Sequence, residues 1–568
     1  MALQWIEPSP TPPAFLAAHP DPVVAAILAR RLGSPGEIVD FLDSKERPAP
    51  DPFLLPNLEA AISRIRRALA QGEAIGIFGD YDTDGVTSTA ILTIALRAAS
   101  GGAQPVAVRL PFRHEGYGFS VAGVNDLAAE GARLIIAVDC GSKDHEAVAH
   151  ARARGIDIII IDHHRLIEDP PGDAIVVTPQ LDPESPYTGM AAAGLAYLVA
   201  VALAQAGLDA GDGPGALPRS LLDLAMIGVV GDVSPLLGVN RALVRDGLRV
   251  LRKGPQRPGL VTLANSAGFD LFAVNSRDIA FRVSPRLNAP GRFDDPRPSY
   301  ELLMAQSMDE ALRSLGKIEQ MNAERKVAVE RLHADIAAML AQEPDRLDRR
   351  FLMLASPDWK KGIVGLASSR LVEEHDRPVA VLSIDGKEAH GSVRSVPGFD
   401  VAAALSEHSH LLLRHGGHAR AAGFSVALDR LAELEDVMHA AVIAAGTPPP
   451  GPGRLEIDAD LPAERLTVET VRQLACLGPF GEGNPEPVLR VPGAALEKYL
   501  TMGAMNNHLK LQVRTGRGTV DAILWNGAHR SRELVGRRRV DLAGELERNV
   551  WNGRERVQMR LRDFRVAE

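Results

Sequence analysis

At 568 residues, with 46% hydrophobic and 24% charged residues, the chain is long enough for several domains, each with a sizeable buried core. Its two cysteines, Cys140 and Cys476, exclude a disulfide framework or a cysteine zinc site and fit a reducing, cytoplasmic compartment. A net charge of −9 excludes a uniformly basic surface, although residues 501–568 carry 14 Lys/Arg against 8 Asp/Glu, a basic tail on an acidic body.

The opening MALQWIEPSPTPP has no basic region leading into an apolar stretch, so no signal peptide is expected. From about residue 73, short apolar runs alternate with helix-like stretches. AIGIFG (74–79), VAVRL (106–110), RLIIAV (133–138), DIIII (157–161) and AIVV (174–177) are separated by segments such as GVTSTAILTIALRAA and HEAVAHARARG. Continuous β-branched runs between helices predict a parallel sheet covered on both faces, an α/β architecture. From Tyr187 to Leu208 there is no charge, which raises the question of a membrane span. Alanine and glycine dominate that stretch and contribute little to insertion, so a buried helix is expected and no membrane association. GLDAGDGPGALP (207–218) and GTPPPGPG (446–453) read as linkers. Between them, Glu301 to Gln342 keeps helical periodicity with Gly316 as its sole Gly or Pro, long enough to bridge two domains. FLMLAS, GLASSRLVEEH and PVAVLSI then restart an α/β pattern. After the second linker, AILW, VDLAGELE and RVQMRLRDF read as a small all-β module, for which an oligonucleotide-binding barrel is the leading expectation.

The chemistry lies in where the acids fall. AIGIFG runs into Asp80, Asp82 and Asp84; RLIIAV into Asp139; DIIII into Asp162, His163 and His164; and the apolar run LAMIGVVG into Asp232. Ligands of open α/β sheets bind outside the carboxyl ends of the strands. Four segments thus deliver carboxylates or imidazoles to one edge, and aspartates at i, i+2 and i+4 of an extended segment would share a side. An isolated loop Asp is most often a turn former or helix cap, and an isolated His-His pair is usually solvated. Their co-location points instead to a metal site, because clustered carboxylates repel one another by several kcal/mol unless cations neutralise them. Mixed Asp and neutral His suit Mn²⁺ or Mg²⁺, with imidazole favouring Mn²⁺. Two such ions, about 3.5–4 Å apart, can activate water and stabilise the leaving oxygen of a phosphodiester. Gly85 is expected to open a helix whose N–H groups face a phosphate.

In order, GDYDTDGVTST, VDCGS, IDHH and GDVSPL resemble the motifs of the DHH phosphoesterase superfamily, and within it the bacterial RecJ family. FRHEGYGFS (112–120), SPRLNAPGR (284–292), WKKGIVGLASSRL (359–371), GSVRS (391–395), GGHARAAGFS (416–425), GPFGEGNPEP (478–487), NHLK (507–510) and ELERNVWNGRERVQMRLRD (545–563) extend the resemblance over almost the whole chain. It implies an N-terminal helical segment (1–72) packed on a DHH catalytic domain (73–300), a connecting helix (301–344), a DHHA1 domain (345–446) and an oligonucleotide-binding barrel (453–568). It also implies 5′-to-3′ exonuclease activity on single-stranded DNA, with two divalent ions. Asp82 and Asp139, helped by Asp80, would hold one ion, and Asp84, Asp139, His163 and Asp232 the other. Asp162 would fix the histidine tautomers. His164 would order the site or touch the phosphate, and His418, beside the close-approach glycines Gly416 and Gly417, would serve the scissile phosphate. Ser392, Arg394 and Arg113 would clamp a terminal 5′ phosphate, Tyr117 stack on a base, and Arg286 and Asn288 contact the backbone. Cys140 abuts the site without a histidine partner, which argues against a thiol nucleophile. A monomer is expected, and a single-strand-binding protein or a helicase would be the natural partners.

Three other readings compete. A phosphodiesterase for very short oligonucleotides or cyclic dinucleotides shares the motifs but has no use for residues 453–568. A pyrophosphatase needs still less of the C-terminal half. A non-catalytic replication scaffold would be expected to have lost acids that are all present here.

Overall fold

The computed structural model of the chain describes residues 3–567 apart from 44, 46–50, 103, 167, 209–215, 255, 450, 452, 504, 517, 552 and 553. Most of the first Pro/Gly-rich linker, and residues 450 and 452 of the second, lie outside the described residues. The chain divides into two compact units, Arg47–Gly451 and Met1–Glu46 with Pro452–Glu568.

In the larger unit, five parallel strands lie in the order Val106–Arg109, Ile75–Phe78, Leu134–Val138, Asp157–Ile161, Ile175–Val177. Successive side chains of a strand point to opposite faces. Here Ile75, Ile77, Leu134, Ile136, Val138, Ile159 and Ile161 enter one core, while Phe78, Ile135, Ala137, Ile158 and Ile160 enter another. Burial on both faces is why the runs read as continuously apolar. The chain places its second strand on one side of Ile75–Phe78 and its third on the other, so the order reverses there. A crevice opens at such a switch point, outside the carboxyl ends of the strands.

Helices Thr83–Ala99, Ala192–Gln205 and Ala216–Gly231 pack together over one face. The uncharged stretch that raised the membrane question is Ala192–Gln205, buried from Ala192 to Leu203. Among the described residues no helix is long and apolar enough to cross a membrane. LAMIGVVG is corrected from a strand-like run to the last two turns of Ala216–Gly231. An apolar run buried all round has no periodicity to separate strand from helix.

The bridging helix is Met308–Gln342, not 301–344. Ser307 caps it, its Oγ accepting from Glu310 N at 3.3 Å, and a separate helix, Arg297–Met304, precedes it. Its stripe Ala311, Leu315 and Ile318 enters the catalytic core, and Leu332, Ile336 and Leu340 join Leu352, Leu354, Trp359 and Ile363 of the next domain. That domain's sheet runs Leu412–His418, Ala421–Ala427, Glu388–Arg394, Val379–Asp385, Leu352–Ser356, with the last pair parallel and the others antiparallel.

The smaller unit holds a closed five-stranded barrel, Leu489–Met502, His508–Thr515, Gly518–Leu524, Arg554–Val566 and Arg539–Trp551, shut by pairing of the first with the last. Leu509, Leu511 and Val513 point inward while Lys510, Gln512 and Arg514 alternate outward. The N-terminal segment is divided rather than packed whole on the catalytic domain. Helix Pro22–Arg31 sends Val23, Val24, Ile27 and Leu28 into the barrel core, and strand Gln4–Ile6 pairs with Arg454–Glu456. Helix Leu58–Gln71 buries Leu58, Ala61, Ile62 and Ile65 in the catalytic core. Both helices are amphipathic, and periodicity says that a face is buried without saying against what.

Candidate metal centre

The switch-point crevice collects the acids. Asp80 follows strand Ile75–Phe78 across Gly79 and is 4% exposed. The aspartates after it do not continue an extended segment. Asp82 is the N-cap of Thr83–Ala99, its Oδ1 accepting from Asp84 N at 2.9 Å and Gly85 N at 3.0 Å, and Asp84 lies in the first turn. The N–H groups expected to face a phosphate are therefore already engaged; Thr83 N donates to Asn288 Oδ1 at 2.7 Å. Gly85 serves close packing instead, since a Cβ there would stand 2.7 Å from the Asp80 backbone. Both Asp84 oxygens accept from the start of helix Ala192–Gln205, Oδ2 from Ala192 N and Oδ1 from Ala193 N, each at 2.8 Å.

Asp139 ends the central strand Leu134–Val138 with φ 64°, a left-handed conformation that aspartate tolerates better than most residues. Asp232 follows the C-terminus of Ala216–Gly231. Val233 beside it takes φ 62°, strained for a β-branched side chain. His163 Nε2 lies 3.2 Å from Asp139 Oδ1 and 3.6 Å from Asp84 Oδ2. Asp162 turns to His164, whose Nδ1 is 2.8 Å from its Oδ1, and its Oδ2 also accepts from Ser142 N at 3.3 Å. From the second α/β domain, His418 ends strand Leu412–His418 with its ring stacked on His164 at 6.1 Å and 11°. Gly416 and Gly417 precede it in the same strand. At Gly417, φ is 147° and a Cβ would stand 2.4 Å from Ala421 O.

Among the described residues, three sets of ligand atoms lie close enough to hold an ion: Asp80, Asp82 and Asp139; Asp84, His163 and Asp232; and Asp139, His163 and His164. Asp139 belongs to two of them. Burial and the Asp82 charge push Asp80 up to about 8. Burial first, then neighbouring carboxylates, raise Asp84 and Asp139 well above the usual range. Burial also raises Asp232. Burial opposes the charge on His164, but Asp162 lifts it to about 9; Asp162 itself, though buried, is held below the usual range by His164. Burial lowers His163 and His418. Among the described residues, Asp80 Oδ1 and Asp139 Oδ1 are buried without a hydrogen-bond partner. Acids so disfavoured, with orphaned oxygens and neutral imidazoles among them, fit divalent cations. Cys140 is buried, which pushes its thiol well up and removes it as a nucleophile.

Beside the acids lies a cluster of guanidinium groups. Arg394 donates to Ser392 Oγ at 3.0 Å, in reach of the first turn of helix Val364–His375, where a Cβ on Gly365 would stand 2.9 Å from that hydroxyl. Arg113 lies over the Tyr81 ring at 4.6 Å. Arg292, not singled out by the motif reading, donates to Gly362 O at 3.1 Å across the two domains. Burial, then Arg113 and Arg325, lower it to about 10. The signal was present: on helix Ser284–Phe293, Arg292 lies one turn after Asn288 on the same face. Asn288 itself holds the aspartate loop. Arg286 pairs with Glu319 at 2.8 Å, and Tyr117 directs its hydroxyl to His164 at 3.2 Å and to Asp139 O at 3.3 Å. These three are engaged within the protein in this structure.

Family models match three stretches: DHH family, N-terminal domain (residues 74–229), DHHA1 domain (348–444) and RecJ OB domain (457–563). The single-stranded-DNA-specific exonuclease RecJ of Bacillus subtilis is 34% identical over 97% of this chain and 69% of its own. That of Escherichia coli is 32% identical over 89% of each. The crystal structure of Thermus thermophilus RecJ with Mn²⁺ superposes with a TM-score of 0.81 at 30% identity, covering all of this chain and 79% of that one; its Mg²⁺ complex gives 0.74.

Proposed function

The chain belongs to the RecJ family of single-stranded-DNA-specific exonucleases, and on that premise we propose that it removes mononucleotides from the 5′ end of single-stranded DNA by metal-dependent hydrolysis, in DNA repair and recombination. The observation that carries this reading is the set of buried acids and imidazoles at the sheet's switch point, with Asp80 Oδ1 and Asp139 Oδ1 lacking a hydrogen bond among the described residues. Asp80, Asp82 and Asp139 would hold one divalent ion, and Asp84, His163 and Asp232, sharing Asp139, the second, with Mn²⁺ favoured over Mg²⁺ by the imidazole donor. Divalent ions bound there supply Lewis acidity at the phosphoryl oxygens and a nucleophile at neutral pH.

The remaining residues bind and orient. His164, kept cationic by Asp162, donates to a non-bridging oxygen of the scissile phosphate, and His418 contacts it from the second domain. Ser392, Arg394, Arg113 and Arg292 receive the terminal 5′ phosphate, which sets the first linkage over the acids and limits each product to one nucleotide. A helicase is the partner that would feed single strands to the enzyme from duplex DNA. Single-strand-binding protein is the partner that would meet it on exposed strands. The protein acts as a monomer in the cytoplasm.

The test is incubation with Mn²⁺ and single-stranded or duplex DNA labelled at either end. Early release of mononucleotides from the 5′ label, on single strands, is the expected result. Cleavage confined to two- or three-nucleotide substrates would overturn it in favour of a short-oligonucleotide phosphodiesterase.

A further inference from the structure

The turn after Asp139 carries a cation that the site as described does not use. Asp139, Cys140, Gly141 and Ser142 lead into Lys143, and the turn is pinned on both sides. Ser142 N donates to Asp162 at 3.3 Å, Asp144 N to Gly141 O at 3.1 Å, and Asp144 Oδ2 accepts from Phe119 N at 2.6 Å. Lys143 is exposed, and among the described residues it forms no ion pair. Its ammonium rests over the Tyr117 ring, 4.9 Å from the centroid. That ring is fixed in turn by its hydroxyl contacts to His164 and to Asp139 O. The Lys143 charge is also felt at His418, on the facing domain. A cation–π contact at an exposed position is worth only about 0.5–1 kcal/mol. A rigid turn thus holds beside the acids an ammonium that forms no ion pair among the described residues, though its charge acts on Asp144, on an aromatic partner weak enough to leave.

We propose that Lys143 is a substrate-binding residue that leaves the Tyr117 ring to contact a backbone phosphate of the single strand entering the metal centre. This rests on the single-strand reading above. The ligand chemistry is a phosphodiester anion, and Tyr117 acts as the perch that keeps the ammonium at the lip of the site, clear of the carboxylates, until the strand arrives.

The test is equilibrium binding of a fluorescent single-stranded oligonucleotide to the full chain, without divalent ion, over a series of KCl concentrations, for the wild type, Lys143→Gln and Lys143→Arg. Each phosphate contact contributes about 0.7 to the slope of log affinity against log salt on single strands. Lys143→Gln should therefore flatten the slope by about 0.7, with a loss of affinity of about tenfold at low salt, and Lys143→Arg should restore the slope. An unchanged slope and affinity for Lys143→Gln overturns the proposal. So does weaker binding at unchanged slope together with a lowered melting temperature, which would make Lys143 structural. A wild type that does not bind single strands defeats the functional reading itself, a different outcome from either.

Discussion

The catalytic crevice and the C-terminal barrel treat buried charge in opposite ways. In the barrel unit, Asp563 is 1% exposed and fully engaged: Oδ2 accepts from Trp5 Nε1 at 2.7 Å, and Oδ1 takes Arg530 and Phe564 N. Arg490 is held by both Glu7 and Asp460, each at 2.6 Å. In the crevice, acids gather with acids and guanidiniums with guanidiniums; the barrel too has an orphaned oxygen, Glu545 Oε2, but that carboxylate pairs with Arg562 through its other oxygen at 2.7 Å. Buried like charges cost stability that a fold gains nothing from keeping. The barrel's charges are therefore structural, and those of the crevice wait for ligands that are a cation and an anion.

The largest test of that difference is Asp139→Ala. Turnover on single-stranded DNA with Mn²⁺ should fall by at least about three orders of magnitude, the scale of removing a group that acts as a unit with its neighbours. The melting temperature without metal should change little, because the loss of one repelling carboxylate offsets the strain of alanine at φ 64°. Near-normal initial rates would break the shared-ligand assignment. Asp563→Ala should behave in the opposite sense, costing about 1.5–3 kcal/mol by leaving the buried Trp5 Nε1 without its acceptor and Arg530 with Glu533 alone. Unfolding of the barrel followed by tryptophan fluorescence would read that loss, and an unchanged transition would erase the contrast.

A smaller effect is expected from Arg292→Gln. A charge-assisted hydrogen bond is worth about 1.5–3 kcal/mol, so the preference for a 5′-phosphorylated over a 5′-hydroxyl strand should shrink by about 10- to 100-fold in kcat/KM. An unchanged ratio would remove Arg292 from the anion cluster.

Much of this contrast was legible before the fold. The acids announce themselves because each follows an apolar run, and an α/β sheet sends the ends of its strands to one edge. The run before Asp232 reached the same crevice as a helix, since Leu224 to Val230 are buried on every side and carry no period to read. Arg292 was hidden for another reason. A lone arginine at the end of a motif has the signature of a surface charge, and its company of Arg113, Arg325 and Arg394 comes from segments far apart in sequence. The DxDxD spacing suggested an extended segment, whereas Asp82 caps a helix and so turns Asp84 toward helix Ala192–Gln205. Short polar residues serve both uses, and local sequence does not separate them. Nor did the periodicity of the N-terminal helices say which core each would enter.

The finest test of the comparison is the sign of a pH response. Asp21 caps helix Pro22–Arg31 in the barrel unit, its Oδ1 accepting from Val23 N at 2.9 Å and Val24 N at 3.2 Å. Burial opposes its charge, but Arg465 and those two N–H groups outweigh burial and hold the carboxyl below its usual range. A carboxylate depressed in the folded state stabilises above its unfolded pKa and loses that contribution as pH falls through the folded value. Asp21→Ala should therefore cost about 1 kcal/mol at neutral pH, with the gap from wild type closing in acid. Asp80, pushed up to about 8, has the reverse linkage. Without metal, the folded state takes up a proton there before the unfolded chain does, so stability gains as pH falls from about 8 toward the ordinary carboxylate range. Unfolding measured against pH for wild type, Asp21→Ala and Asp80→Asn should show the two substitutions bending the profile in opposite directions. Parallel profiles would mean that the crevice acids are not the repelling cluster on which the metal assignment depends.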